Sequence, residues 1–310
     1  MSSFKKINNA VVMKKLLVLF CFTIFILPSN ADEIMQNISG KISQYAAGLI
    51  PGEGITEVSI EIKDQEEPDF TILGVRDISK TENSNLFTQF SLHNNDIAGG
   101  DERYIGNLGL GYRKLTADES WMYGVNFFWD QDIREGHSRA SVGFEARASV
   151  LKFNFNRYYN ITGRQTVNGR DENAVGGIDY KLSSQIPYMP WARVGWKGYT
   201  VEADKASNET EGDEYSLEMA LNPTLVLELS RDLSNHSDGD ADSANLSFVY
   251  PPRDSKKTLS DGFISNEMWH KESMKNELSQ KVERNNNLTV ENLMNKNKIC
   301  VFDFETDGIN

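Results

Sequence analysis

Few groupings in this chain have the residue types and spacing that chemistry needs. The four histidines, His93, His137, His236 and His270, lie far apart. No pair sits at a metal-ligand spacing, so they read as solvated loop or interior side chains. Asp130 and Asp132 flank Gln131 and would share one face of a strand. That makes them a charge cluster near a strand end rather than an acid–base pair. His137-Ser138 is the one adjacent histidine–serine pair, and serine hydrolysis would need such a pair to converge at one rim. No Gly-rich phosphate loop, nucleophile elbow or His-Glu-x-x-His stretch occurs. What remains is a concentration of both charge signs in Arg113, Asp130, Arg139, Glu145 and Arg147, followed by Lys152. These six are the candidate site, expected to line whatever their strands enclose. The expectation is a non-enzyme without metal or cofactor.

The elements that must position these charges are strands. In Trp121–Asp132, WMYGVNFFWDQD, every second residue from Trp121 is Trp, Tyr, Val, Phe, Trp, and the residues between are mostly small or polar. The same period of two begins after Gly54 and runs for about two hundred residues. Val58, Ile60 and Ile62 open it; Tyr104, Leu108, Leu110 and Tyr112 continue it; Ala244, Leu246, Phe248 and Tyr250 close it. About twelve strands result, each of the length a tilted membrane strand needs. A soluble sandwich also alternates, so alternation alone does not choose between lipid and protein as the partner of the apolar face.

Three further features favour lipid. Aromatic residues sit near strand ends on the apolar face, among them Tyr104, Trp121, Trp129, Tyr180 and Tyr215, as in the girdles of outer-membrane barrels. Connections alternate between short turns, such as 149–150 and 222–224, and longer Asn/Asp/Gly-rich loops, such as 162–173 and 231–243. Segments 183–190 and 64–68 fit this alternation less well. An even strand count returns both barrel ends to one side. The expected fold is therefore all-β: a closed antiparallel transmembrane β-barrel with a short N-terminal helix and a C-terminal linker, lipid sealing its outer face.

Composition bounds the rest. Met13-Lys14-Lys15 precedes an apolar run, 16–27, and then Pro28-Ser29-Asn30-Ala31, the grammar of a secretory signal peptide cleaved after Ala31. Met1 and Met13 both remain possible starts. Of the two cysteines, Cys21 lies in that signal and Cys300 near the other end, so no disulfide holds the mature fold. The net charge of −13 argues against nucleic acid.

Several ordered motifs resemble one family. Leu86-Phe87-Thr88-Gln89-Phe90, Asn107-Leu108-Gly109-Leu110-Gly111-Tyr112-Arg113 and Gly124–Asp132 follow one another at its spacing. His137-Ser138-Arg139, Gly143-Phe144-Glu145-Ala146, Tyr158-Tyr159 and Arg284-Asn285-Asn286-Asn287 continue the series. The chain from about Ile42 to Leu293 thus resembles the β-domain of the intimin/invasin family, the inverse autotransporters of Gram-negative bacteria. The resemblance implies a twelve-stranded outer-membrane barrel, and a chain that passes back through the pore to carry Ig-like adhesion domains on the cell surface. Two stretches depart from the family's pattern: 145–149 lacks its usual aromatic, and Gly195-Trp196-Lys197-Gly198-Tyr199 is diverged. No Ig-like domain fits in the roughly twenty residues after Asn287.

The expected organisation is a signal peptide at 1–31, a periplasmic helix at 32–54, a barrel at 55–252, and a pore-threading linker and tail at 253–310, part of it helical around 266–282. The expected role is an outer-membrane anchor and translocator in an adhesin system, implying a part in cell adhesion and virulence. The alternative is a stand-alone pore or structural barrel, including a truncated adhesin product. Expected partners are outer-membrane lipid, the barrel assembly machinery and periplasmic chaperones. No residue here specifies a host receptor.

Overall fold

A computed structural model describes residues 50–300 except 64–67, 98–100, 203–209, 236–239, 254–255 and 293–298, together with Lys41, Tyr45 and Gly48. The expected signal peptide and, but for those three positions, the expected N-terminal helix lie outside the described residues.

Twelve strands form a closed antiparallel barrel. They are β1 (Gly54–Lys63), β2 (Asp69–Lys80), β3 (Ser84–Ile97), β4 (Asp101–Leu115), β5 (Trp121–Asp132), β6 (Ser138–Ala148) and β7 (Leu151–Asn160), then β10 (Gly176–Ile186), β11 (Met189–Glu202), β12 (Thr210–Asn222), β13 (Leu225–Ser234) and β14 (Ala241–Tyr250). Between β7 and β10 lie two short strands, β8 (Gln165–Val167) and β9 (Arg170–Ala174). Each barrel strand pairs with its sequence neighbour, and β1 closes on β14 from Thr56↔Tyr250 to Lys63↔Ser243. Closure is what lets a sheet live in lipid, since an open edge there would leave N–H and C=O groups without partners. Among the described residues no helix is long and apolar enough to cross a membrane.

The outward face carries the apolar alternation. Leu108, Val125 and Phe127 are 60%, 56% and 49% exposed. A continuous apolar band of this kind is untenable against water and stable against acyl chains. Trp121 stacks on Tyr123 with centroids 6.0 Å apart, and Tyr180 meets Trp196 edge-on at 5.3 Å. These outward pairs belong to the aromatic part of that band.

Short turns gather at one end, here the turn end, together with the start of β1 and the close of β14. At 116–120, Asp118 accepts from the Thr116 and Ser120 hydroxyls at 2.7 and 2.8 Å. The Thr116 bond, then those from Ser120, holds its carboxyl down to about 2. The segment 183–190, long for a turn in the sequence, resolves into strand almost throughout, with only Pro187-Tyr188 left between β10 and β11.

The opposite, loop end carries a feature the sequence did not suggest. The loop expected at 162–173 contains β8 and β9, which form a second sheet with β15 (Val290–Asn292) and β16 (Ile299–Cys300). β15 lies antiparallel to β9, Val290 opposite Ala174. After β14 the chain makes two 3-10 helices, Leu259–Asp261 and Met274–Ser279. The helix expected around 266–282 is reduced to the second of these.

Candidate functional site: the occupied lumen

The site is the inside of the barrel, and it holds the chain's own C-terminal segment. The segment begins at the turn end. There Tyr188 N–H donates to the Met268 carbonyl at 3.0 Å, His270 N–H to Gln185 Oε1 at 2.9 Å and Met274 N–H to the Glu119 carbonyl at 2.9 Å. It leaves at the loop end, where Val175 N–H donates to the Thr289 carbonyl at 3.1 Å and β15 joins β9. Between these ends residues 280–289 belong to no helix or strand. Their backbone groups need partners from elsewhere.

Side chains of β3–β7 supply them, level by level. Nearest the turn end, Arg113 grips Glu145 with Nε–Oε1 at 2.6 Å and Nη2–Oε2 at 3.1 Å. Its other nitrogen, Nη1, faces the carbonyls of Glu277 (3.2 Å), Leu278 (3.1 Å) and Gln280. Arg147 donates to Glu277 Oε2 and to the Lys281 carbonyl, both at 2.8 Å, and pairs with Glu145 at 2.8 Å. Asn85 donates to the Leu278 carbonyl at 3.0 Å, and Val282 N–H donates to Gln89 Oε1 at 2.7 Å. Glu277 also takes a bond from Lys256.

Higher up, Arg284 docks bidentately on Asp130, with Nη1–Oδ1 at 2.9 Å and Nη2–Oδ2 at 2.7 Å. Arg139 binds the same carboxylate through Nε at 2.9 Å and the Asn285 carbonyl at 2.9 Å. Asn107 bridges Asp130 at 2.7 Å and the Asn286 carbonyl at 3.0 Å. The Arg284 guanidinium lies 4.4 Å from the Phe128 ring centre and 5.5 Å from that of Tyr158, adding cation–π attraction. Asn285 N–H donates to the Tyr158 hydroxyl at 2.8 Å, which in turn donates to Asp179 at 2.6 Å. The side chains of Asp130 and Arg284 are both fully buried. A charge buried this way is stable only when paired and hydrogen-bonded; Asp130 and Arg284 supply this for one another through two bonds, while Arg284 Nε is left without a partner.

Of the six candidate residues, the structure brings Arg113, Glu145 and Arg147 into one cluster and Asp130 and Arg139 into another. Lys152 stands beside the first cluster, 3.8 Å from Glu277 and 3.7 Å from Glu283. The partners that complete both clusters, Glu277 and Arg284, come from the segment the sequence presents as a polar linker. Arg284 had a signal in the Arg-Asn-Asn-Asn motif; Glu277 had none.

A further surprise is apolar: Phe87, Phe128, Met122, Leu73 and Val75 point inward and are buried. Phe87 and Phe128 lie over Gly111 and Gly109, where an added Cβ would come within 2.3 and 2.4 Å of the rings. The two glycines thus make room for the rings, and the rings floor the arginines: Arg113 sits 4.3 Å over Phe87.

One expectation about histidine needs correction: His137 is not in a solvated loop but 0% exposed, whereas His93, 4% exposed, faces the lumen and lines its cavity. His137 lies at the loop end with Nε2 3.5 Å from Glu172, beside the Arg103 pairs to Asp132 (3.2 Å) and Glu172 (2.6 Å). Ser138 donates to Gln131 at 2.7 Å, so its hydroxyl is engaged away from His137. Asp132 pairs with Arg103 and Asp130 with Arg284, which separates the two carboxylates into different clusters. His236 lies outside the described residues. Among the described residues no group of His, Cys, Asp and Glu has metal-site geometry.

A model of the family described as inverse autotransporter, β-domain, matches residues 29–286. Relatives include the inverse autotransporter adhesin YeeJ of Escherichia coli K12, 27% identical over 68% of this chain and 9% of that protein. A putative attaching and effacing protein homolog of the same strain is 29% identical over 52% of this chain and 55% of its own length. The invasin of Yersinia enterocolitica is 32% identical over 34% of this chain and 12% of its own length. The matched region is thus about half of one relative and a small part of the other two. A solved chain from work on in-meso crystallization of membrane proteins superposes with a TM-score of 0.60 at 18% identity, covering 76% of this chain and 98% of that one, a likeness of fold. The chain belongs to the inverse autotransporter β-domain family, a family of outer-membrane barrels of Gram-negative bacteria.

Proposed function

We propose that this chain is an anchor and translocator: the barrel fixes it in the outer membrane, and the lumen leads its C-terminal segment from the periplasm to the cell surface. The observation that carries this reading is the run of contacts from Glu119 and Gln185 at the turn end, through Asp130 and Arg284, to the β15–β9 pairing at the loop end. The turn end, where β1 starts and β14 stops, faces the periplasm on this reading, because a chain exported behind a signal peptide arrives from that side.

The wall binds the segment mainly through its main chain. Arg113, Asn85, Arg147, Asn156, Arg139 and Asn107 all donate to its carbonyls. Every residue offers a carbonyl, so such a track suits the passage of varied sequence, while Arg284 on Asp130 fixes where the passage comes to rest. The relatives named adhesin and invasin suggest that what such a barrel displays serves adhesion. Insertion through the barrel assembly machinery, with chaperones guarding the apolar strands on the way, belongs to the same reading. Nothing in this role calls for catalysis.

An epitope tag placed after Asn310 and probed with antibody on intact cells tests it. The tag is expected to be reachable without permeabilisation. A tag reachable only after the outer membrane is opened would sink the translocator reading and leave a structural barrel.

A further inference from the structure

The segment does not fill the lumen evenly. On the β3–β7 side it is bonded to the wall at every level. On the opposite side, a cavity of about 310 Å³ lies between residues 281–287 and a wall made mainly by β10–β14 and β1, with Thr71, His93 and Tyr158 at its edge, and its lining reaches Gly176, Val201 and Asp232 at the loop end. A second, of about 80 Å³, continues towards the turn end, its lining reaching Trp191, Lys257 and His270. The larger one has room for on the order of ten waters. Charged walls such as Lys63, Lys197 and Glu214 make it a hydrated space rather than a dry void.

Four residues line both cavities: Glu57, Glu228, Lys281 and Glu283. They form a belt across the gap. Lys281 Nζ lies 2.6 Å from Glu57 Oε1; Lys181 Nζ lies 3.0 Å from Glu228 Oε1 and 3.8 Å from Glu283 Oε2. Although enclosed by the barrel, the Lys281 side chain keeps 39% of its surface accessible. It is thus a cation with space beside it, paired across the gap with the Glu57 carboxylate. By contrast, Arg284 on the packed side has no accessible surface.

We propose that the plugged barrel retains an ion path along the β10–β14 and β1 wall, for small inorganic cations, with the Lys281–Glu57 pair as its closure. Moving the Lys281 ammonium aside joins the two hydrated cavities without disturbing the Arg284–Asp130 lock. The rim it uncovers carries Glu57, Glu228 and Glu283, and a ring of carboxylates favours cations over anions.

The test is conductance of the purified full chain in planar bilayers bathed in potassium chloride, comparing wild type with Lys281→Ala and with the near-isosteric Glu57→Gln. Heat-modifiable migration establishes that each variant is folded. Both substitutions are expected to raise the conductance several-fold. For Lys281→Ala the reversal potential in a salt gradient also moves towards that of potassium. Arg164→Gln, at the loop end and in the lining of neither cavity, stays at the wild-type level. Folded variants that conduct no more than wild type overturn the proposal. So does a rise accompanied by loss of amide protection in residues 277–287, because the segment would then have left the lumen. The surface-tag measurement is independent of these currents, so failure here leaves the translocator reading standing.

Discussion

The two halves of this lumen are built from the same alternation and do different things. From β3 to β7 the inward side chains reach across to the C-terminal segment: Asp130 to Arg284, Arg147 to Glu277, Arg113 to a row of carbonyls. From β10 to β14 they reach mostly along the wall to one another, as in Lys197–Glu214 at 2.8 Å and Lys181–Glu228 at 3.0 Å, and leave a hydrated gap. The first half buries nearly all of its charges, so each needs its partner. The second keeps its charges partly solvated, so each can lose one. The difference teaches that charge content alone does not mark a binding surface inside a barrel; contacts from those charges to a second chain segment do.

The largest effect is expected at Asp130. Asp130→Ala leaves Arg139 and Arg284 buried without their shared carboxylate, and breaking a buried pair in this way costs about 3–5 kcal/mol. The prediction is a clear fall in the urea midpoint of the folded barrel and protease cleavage within 280–290. Unchanged resistance would mean that the segment is held elsewhere. Next comes packing under the arginines. Gly111→Ala drives a methyl group into the Phe87 ring, and overpacking of this kind costs about 1–3 kcal/mol, read from the same unfolding curves. Across the lumen, Lys197→Gln is expected to cost less than about 1 kcal/mol, the range of a partly solvated pair. A loss equal to that at Asp130 would erase the contrast between the halves. The smallest effect lies at the turn end. Asp118 titrates at about 2, below its ordinary 3.8, mainly through its Thr116 bond. That contribution is complete above pH 3.8 and lost as pH falls through 2. Asp118→Ala is expected to abolish this acid-side dependence and to lower stability at pH 7 only slightly, because solvent screens the carboxylate of an exposed turn.

How much of this was legible in the sequence depended on period. Strands such as β5 declare themselves, because lipid outside and polar groups inside impose alternation on every residue. The charges on β4–β7 were legible as inward-facing for the same reason. Their partners were not. Residues 280–287 have neither a strand nor a helix period, since their geometry is dictated by wall side chains rather than by their own hydrogen bonds, and such a stretch reads as linker. Phe87 and Phe128 were hidden differently. They sit at inward positions where polar residues were expected, and the clue lay on a neighbouring strand, in Gly109 and Gly111. The β8–β9 hairpin, rich in Asn, Asp and Gly, read as loop because its sheet is completed by β15, more than a hundred residues later.

The measurement that bears most directly on the central claim is amide hydrogen exchange of the full chain in detergent, followed on the peptide spanning 277–287. The account predicts slow exchange at Val282 and Asn285, whose N–H groups are committed to Gln89 and Tyr158 inside the barrel. Exchange of this peptide at the rate of a free, unstructured chain would contradict it, because the lumen would then be empty of its own C-terminal segment.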